Sequence, residues 1–534
     1  MGRYLDNLRP LVDEETFEAT RRIVNEFVEP DGPGPTIQRA LLGRREAMDN
    51  WAYTWWLKDM YLAVPLPLPI NSNPGMVFPP RQFRGFSDIA RYAARITMGL
   101  SSYKERLDRK EIEVERATSR EKGQPLCMAQ YYRLMTSYRV PGNPSDSLIS
   151  TEPDGPNPNQ HVIVACRNKF YAVHLRKDGK ILTEEEVAGH MLAILDTGTD
   201  TTAPALGLLT STQRHFWAEN RESLLGYEEN RNSLELIENS LALVCLDHHP
   251  LGEEFCRKDG VNGLCYEHST SEAVALINVL ETIIDTCNNI SSNEVIPCTI
   301  ALQELTWIAP NQLTRAINEA ARSIDNLIED FDYYVYHFDG YGKRFIKSCK
   351  VSPDAYVQMA LQLAYYKLYG KLTATYESAS TRRFRLGRVD CIRSATWEAL
   401  QWAEEKLALF DAAMKKQTEI MVDNIMGQGI DIHLLGLREQ AKLIGRLPDL
   451  FQDKSYKILN HFGLSTSQVA TKIGFMGYGP VVPDGYGASY NIHEDSVIFC
   501  LSAFYSSEQT STSRFAQSLE ESFNTMQTLL QIRL

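Results

Sequence analysis

Gly263-Leu-Cys-Tyr-Glu-His-Ser-Thr-Ser-Glu-Ala273 is the stretch from which the rest of the chain is read. Apolar Leu264 and Cys265 lead into Tyr266, Glu267 and His268, and the dipeptide Asp259-Gly260 just upstream favours a tight hairpin turn. The pattern predicts a strand that leaves a turn and ends at an imidazole, followed by small polar residues that let the strand end face a cavity. A neutral imidazole takes up a proton near pH 7, as a general base must. Glu272, four residues on, is placed to orient the ring, and a helix is expected from Ser271 to about Asn288. For this stretch alone a satisfied surface or core histidine is the commoner explanation, so the weight falls on what surrounds it.

Upstream, His161-Val-Ile-Val-Ala-Cys166 and Lys169-Phe-Tyr-Ala-Val-His174 flank a short turn and read as a hairpin. Residues 183–196 are expected to be helical. Leu206-Gly-Leu-Leu-Thr210 and Leu241-Ala-Leu-Val-Cys-Leu246 are apolar runs of strand length. Strands alternating with helices predict α/β layers. Residues 12–64 are expected to be helical, starting at Asp13-Glu14-Glu15, where negative charge suits the helix dipole. Trp51, Tyr53, Trp55, Trp56 and Tyr61 form a prospective buried face. Pro65, Pro67, Pro69, Pro74, Pro79 and Pro80 then break the helix and mark a first crossing between domains. Residues 144–160, dense in Pro, Asp, Asn and Ser, read as an exposed loop. Downstream, Phe331-Asp-Tyr-Tyr-Val-Tyr-His-Phe338 is an aromatic strand candidate. Ser352-Pro-Asp-Ala355 opens a helix, with Ser352 as N-cap and Pro353 in the first turn, and Gly370 ends it.

With 534 residues the chain exceeds one core. Expected domains are helices over 1–64 that pack with the second half, a histidine-bearing domain over 65–340, and a binding domain over 341–534. A content of 43% hydrophobic and 23% charged residues describes a soluble globular protein. A net charge of −13 with no basic tract argues against a nucleic-acid partner. The apolar runs are far shorter than the roughly 18 residues of a membrane span. The start, Met-Gly-Arg-Tyr-Leu-Asp, lacks the apolar core of a signal peptide. The 10 Cys are scattered, without a Cys-x-x-Cys pair, and read as reduced thiols of a cytoplasmic protein.

The second half carries further candidate chemistry. Lys343 and Lys347 lie four apart just before a helix start, and read either as a phosphate site or as a solvated basic face. Arg388 and Arg393 follow in Gly387-Arg-Val-Asp-Cys-Ile-Arg-Ser394. Ser465-Thr-Ser467 offers three hydroxyls; one can donate to a developing oxyanion, or the run is an ordinary polar strand end. Gly479-Pro-Val-Val-Pro-Asp-Gly-Tyr-Gly487 is turn-rich and lets backbone approach a ligand.

Taken together, Tyr266-Glu-His268, Tyr341-Gly-Lys-Arg-Phe-Ile-Lys347, Ser352-Pro-Asp-Ala355, Ala360-Leu-Gln-Leu-Ala-Tyr-Tyr366, Thr375-Tyr-Glu-Ser-Ala-Ser380, Gly387-Arg-Val-Asp-Cys-Ile-Arg-Ser-Ala-Thr396, Leu464-Ser-Thr-Ser-Gln-Val469 and the 479–487 segment resemble the choline/carnitine acyltransferase family, from about residue 4 onward. The resemblance implies two similar α/β halves, each a mixed sheet covered by helices, with an active-site tunnel at their interface. It implies acetyl transfer from acetyl-CoA, a co-substrate with no tightly bound cofactor and no metal, to choline, by a monomeric enzyme of the cytoplasm. His268 would be the base and Ser467 the oxyanion donor. Lys343, Lys347 and Arg393 would hold the 3′-phosphate of CoA, with Ser352, Asp354 and Gln468 lining the rest of that site. Tyr61, Tyr376 and Tyr478 would surround the trimethylammonium group, a cation suited to aromatic faces, and Ser378 would join them in the substrate site.

Two positions separate substrates within the family. Carnitine enzymes of the resemblance carry Asp-Arg-His-Leu-Leu-Gly-Leu, whose arginine meets the substrate carboxylate; this chain reads Asp431-Ile-His-Leu-Leu-Gly-Leu437, with Ile432 at that place. Val389 stands where those enzymes have threonine. Choline is therefore expected over carnitine, and a carnitine acetyltransferase is the alternative. The family pattern also begins with a proline-rich segment that this chain starts beyond. It places a longer segment before the histidine hairpin, whereas here Cys245-Leu246-Asp247 runs almost straight to Asp259-Gly260. The hairpin partner is thus expected to be short or absent, residues 248–262 poorly ordered and activity weak or absent, which keeps a non-catalytic relative as a further alternative.

Overall fold

Asp13 opens the first long helix, α1 (Glu14–Val28), because its carboxylate accepts the Thr16 amide at 2.7 Å and satisfies an otherwise orphaned donor. The computed structural model from which this is read describes residues 1–150, 160–197, 203–246, 261–287, 301–405 and 409–531. Helix α1 ends two residues before Pro30, with extended Glu29 between them, and α2 (Pro33–Ala47) starts with proline in its first turn. Residues Tyr53–Leu57 make a short helix that widens into a π-turn over Lys58–Leu62. Phe17, Val24, Phe27, Ile37 and Leu41 from these helices share one core with Leu434, Leu437, Leu450, Phe451 and Leu459. The N-terminal helices are thereby part of the body formed by the second half of the chain.

Strand β1 (Gly75–Val77) lies within the proline-rich crossing. Helix α3 (Phe86–Asp108) follows, and α4 (Glu184–Asp196) starts at a capping box between Thr183 and Glu186. Next come β2 (His161–Cys166), β3 (Lys169–His174), β4 (Leu243–Cys245), β5 (Gly263–Cys265) and β6 (Gln303–Glu304). Four of these form a mixed sheet in the order β6-β3-β2-β4, antiparallel except for the parallel β2–β4 pair. Val162 and Val164 of β2 pack against Ala90, Tyr92 and Ala94 of α3 and against Val187, Met191 and Ile194 of α4. Ile163, on the opposite face, packs with Ala172 and Leu305, and a strand covered on both faces carries an unbroken apolar run, as Val162–Cys166 does.

The second half contains β7 (Phe331–Phe338), β8 (Thr375–Ser380), β9 (Val389–Ile392), β10 (Leu464–Gln468), β11 (Phe475–Gly477), β12 (Tyr486–Ile492) and β13 (Val497–Phe504). Six of them form a second mixed sheet, β7-β13-β12-β10-β8-β9, in which β10 runs parallel to both of its neighbours. Helices α5 (Ala273–Thr286), α6 (Pro353–Tyr369), α7 (Asp431–Ile444) and α8 (Thr512–Gln531) complete the elements used below. Tyr356, Leu361 and Leu363 of α6 and Phe515, Leu519 and Phe523 of α8 share a core with β12 and β13. Two helix-covered mixed sheets agree with the expected α/β class.

The halves meet in a third sheet, β11-β1-β5, with β1 in the middle. Gly75 and Met76 pair with Gly477 and Met476 on one side, and with Cys265 and Leu264 on the other. Gly263 is required by close approach: a Cβ there would lie 2.3 Å from the Met76 carbonyl oxygen.

Several expectations are corrected. Strand β5, expected to follow a hairpin turn, pairs with β1 from the proline-rich crossing; the Asp259-Gly260 turn and the expected short or absent partner over 250–257 fall within residues 247–260, which lie outside the described residues. Leu206-Gly-Leu-Leu-Thr210 forms a 3-10 helix, Leu206–Ser211, because buried Leu206 and Leu209 stand three apart on one side of it. Strand β7, which a boundary at 340 assigns to the first half, pairs along its whole length with β13 and belongs to the second sheet.

Candidate active site

His268 stands three residues past the end of β5. Tyr266 is buried among Met76, Leu276, Ile277 and Val469, which fixes the direction in which the chain leaves the sheet. Thr270 Oγ1 donates to the Glu267 carbonyl at 2.9 Å and closes a turn, after which Glu272 sits at the N-cap position of α5. The Glu272 amide donates to Gln130 Oε1 at 2.8 Å. The turn and helix start bring the Glu272 carboxylate back to the imidazole, with Nε2 and Oε2 3.2 Å apart.

Arg388, one residue before β9, completes this unit from the other half. Its Nε donates to Glu272 Oε1 at 2.8 Å, and its Nη1 and Nη2 reach the carbonyls of Ser269 and His268 at 2.5 and 2.7 Å. The guanidinium lies over the rings of Trp56 and Tyr61, 4.9 and 5.6 Å from their centroids. Burial pushes the Glu272 carboxyl up, but Arg388 and His268 prevail and hold it at about 2. An ionised Glu272 accepts a proton-bearing Nε2, and this network assigns the lone pair to Nδ1. Nδ1 lies 3.2 Å from the Tyr61 hydroxyl, whose ring meets the imidazole edge-on at a centroid distance of 5.2 Å. Burial and the nearby Glu272 raise the Tyr61 phenol well above its ordinary range, so it stays protonated and donates to Nδ1. The site can therefore accept a proton on its Tyr61 side, with the base already oriented by a fixed carboxylate.

Around this base the structure gathers some of the sequence-predicted residues. Tyr61 shares an apolar cluster with Trp56, Leu57, Val389 and Leu435, against which Ile432 packs. Tyr376, on β8, has its phenol raised by burial and, to a lesser extent, by nearby Cys391, Tyr61 and Glu272, and Ser378 lies two residues on, on the same strand face. Tyr478 donates to the Ser465 carbonyl at 3.1 Å. Ser467 lies on β10, opposite Ser489, one residue before exposed Gln468, and β10 leads directly into Val469, which packs with Tyr266. Lys343 and Lys347 are one turn apart on the short helix Lys343–Ser348, with Lys347 exposed and Lys343 3.7 Å from Glu494; exposed Ser352 follows.

Two residues expected at the coenzyme are engaged elsewhere. Arg393 is 3% exposed; its guanidinium pairs with Asp431 at 2.5 Å and donates to the Leu459 carbonyl at 2.5 Å and to Asn460 Oδ1 at 3.1 Å. It is a buried tie between β9 and α7, not a phosphate ligand beside the lysines. Asp354 turns inward, accepts the Tyr490 hydroxyl at 2.6 Å and lies beside Glu377; burial raises its carboxyl.

The family resemblance gives Arg393 the 3′-phosphate and gives Arg388 no role, whereas the structure puts Arg388 at the base and Arg393 on Asp431. Their partners lie 116 and 38 residues away in the chain, so spacing carries no signal for which carboxylate each one meets. Trp56, under the Arg388 guanidinium, was read as core alone.

A base–carboxylate pair at the junction of two sheet-and-helix halves defines an acyltransferase. Residues 1–521 match the Choline/Carnitine o-acyltransferase family, and the chain belongs to it. The chain is 43% identical over 626 residues to the Choline O-acetyltransferase of Drosophila melanogaster, covering 99% of this chain and 86% of that protein. It is 39% identical over 580 residues to the Choline O-acetyltransferase of Sus scrofa, covering 99% and 90%. With the Carnitine O-acetyltransferase of Columba livia the identity is 34% over 579 residues, covering 99% and 91%. These aligned spans exceed the 534 residues of the chain, so each relative carries insertions that it lacks.

Proposed function

We propose that this protein transfers the acetyl group of acetyl-CoA to the hydroxyl of choline, forming acetylcholine, a neurotransmitter. His268 Nδ1 removes the hydroxyl proton while Glu272, fixed by Arg388, steadies the imidazolium. The oxygen attacks the thioester carbonyl. Ser467 donates to the oxyanion of the tetrahedral intermediate, whose collapse expels the CoA thiolate, and His268 returns the proton to sulfur. Lys343, Lys347, Ser352 and Gln468 serve the coenzyme. Tyr61, Tyr376 and Tyr478, with Ser378, receive the trimethylammonium end in a tunnel between the halves. The protein acts as a cytoplasmic monomer, a placement supported by its scattered cysteines.

The observation that carries the choice of substrate is the wall beside the base. Val389 and Ile432 pack with Tyr61, so the Ile432 position presents an apolar side chain, not a cation, to a carboxylate. An apolar wall leaves carnitine's carboxylate desolvated and unpaired, at a cost of several kcal/mol, whereas choline has no such group. Acetyl transfer by the purified chain, with choline and carnitine compared, tests this. Preference for carnitine, or no transfer to either alcohol, defeats it.

A further inference from the structure

Behind the histidine lies a charged cluster that the transfer chemistry does not use. Asp146 Oδ2 accepts Arg139 Nε at 2.6 Å and Arg214 Nε at 2.7 Å, and Arg139 Nη1 donates to Glu267 Oε1 at 3.0 Å. The side chains of Arg139, Asp146 and Arg214 are 2%, 0% and 4% exposed. Two cations and two anions balance, which is how buried charge is tolerated.

The placement of the remaining bonds is what points to function. Arg139 Nη2 donates to the Tyr61 carbonyl at 2.7 Å. The Asp146 amide donates to the Leu62 carbonyl at 2.8 Å, and the Arg214 amide to the Pro65 carbonyl at 3.0 Å. The end of the π-turn that carries Tyr61 and the chain just past it are thus held by the cluster at the carbonyls of Tyr61, Leu62 and Pro65. On the opposite side, Glu267 Oε2 accepts the Ser269 amide at 3.1 Å, gripping the turn on which His268 sits.

We propose that Arg139 is a positioning residue for the acetyl transfer: it spaces Tyr61 against His268 by bridging the Tyr61 carbonyl and the Glu267 carboxylate, with Asp146 and Arg214 holding its guanidinium. The proposal rests on the acyl-transfer reading above. None of the four residues touches a reacting atom; their effect reaches the base through the spacing of Tyr61 and the charge of Glu267. The titratable and charged groups around the imidazole are Glu272 on the start of α5, Arg388 from the second half, Tyr61 from the π-turn, and Tyr266 and Glu267 from its own segment, with Arg139 behind Glu267.

Three variants of the full chain test it: Arg139→Gln, Arg139→Lys and Glu267→Gln. In Arg139→Gln, kcat falls about 10²-fold, the expected cost of a ~1 Å misplacement, while KM for acetyl-CoA stays within about twofold. Glu267 loses its compensating cation, so the His268 imidazolium is favoured and the acid limb of kcat/KM moves to higher pH. Arg139→Lys restores the charge and the limb but not kcat, since one ammonium cannot reproduce the three-way fork. Should Arg139→Gln not fold, Glu267→Gln decides: the His268 titration, followed by NMR of its ring protons, moves to lower pH and kcat falls about tenfold. A folded Arg139→Gln with wild-type kcat, or a Glu267→Gln with unchanged titration and kcat, overturns the proposal. The NMR titration needs no turnover, so a wild-type protein that fails to acetylate choline refutes the functional reading without deciding this one.

Discussion

His268, Glu272 and Arg388 act as one unit, and their removal has separable effects. His268→Ala should lower acetyl transfer about 10²–10⁴-fold and leave coenzyme binding nearly intact; near-normal turnover would remove His268 from the mechanism. Glu272 gives a pH signature. Its carboxyl is raised by burial but held at about 2 by Arg388 and His268, against an ordinary value of 4.5. A depressed folded-state pKa stabilises the protein above the unfolded pKa, and that stability is lost as pH falls from about 4.5 towards 2, about 3 kcal/mol in all. Glu272→Gln should flatten the loss of stability in this window, measured as urea midpoints at several pH values; equal losses in variant and parent would assign the acid sensitivity elsewhere. The proposed choice of substrate can also be tested at single side chains. Ile432→Arg combined with Val389→Thr should raise carnitine use relative to choline, read as the ratio of kcat/KM values, and an unmoved ratio would show that this wall does not select the alcohol.

Elements differ in how far the sequence reveals them. Helix α6 was readable at both ends: Pro353 occupies its first turn, and Gly370, at φ 65°, takes the left-handed position that ends it. Strands β2 and β3 were readable because their apolar runs flank a short turn and pair with each other. Strand β1 was not, since three residues among prolines show no periodicity and its partners lie in two distant segments. The site divides the same way. Glu272, four residues from His268, was legible as the group that orients the ring. Arg393 was not, because Asp431 captures it from another element. Its tie between β9 and α7 gives an opposite expectation from that of the lysine helix. Lys343→Ala with Lys347→Ala should raise KM for acetyl-CoA more than KM for acetyl-dephospho-CoA, with stability unchanged. Arg393→Met should leave Asp431 unpaired and cost about 3–5 kcal/mol of stability, seen in urea unfolding. Loss of 3′-phosphate discrimination in a stable Arg393→Met would return that arginine to the coenzyme.

At the scale of the molecule, the sheet joining the halves has consequences for when the enzyme becomes an enzyme. Its three strands come from residues 75–77, 263–265 and 475–477, so each pairing closes a loop of nearly two hundred residues or more. Such non-local contacts are entropically late, while the hairpins and helices of each half form from near neighbours. Catalytic competence is therefore the last thing the nascent chain acquires: β5 cannot aim His268, and Arg388 cannot reach Glu272, until both halves exist. On refolding from denaturant, recovered acetyl transfer should lag behind the far-ultraviolet circular dichroism signal; simultaneous recovery would mean that the junction assembles early. A ribosome-bound or truncated chain that holds only the first half would carry the histidine as a harmless side chain, unable to squander thioester on water.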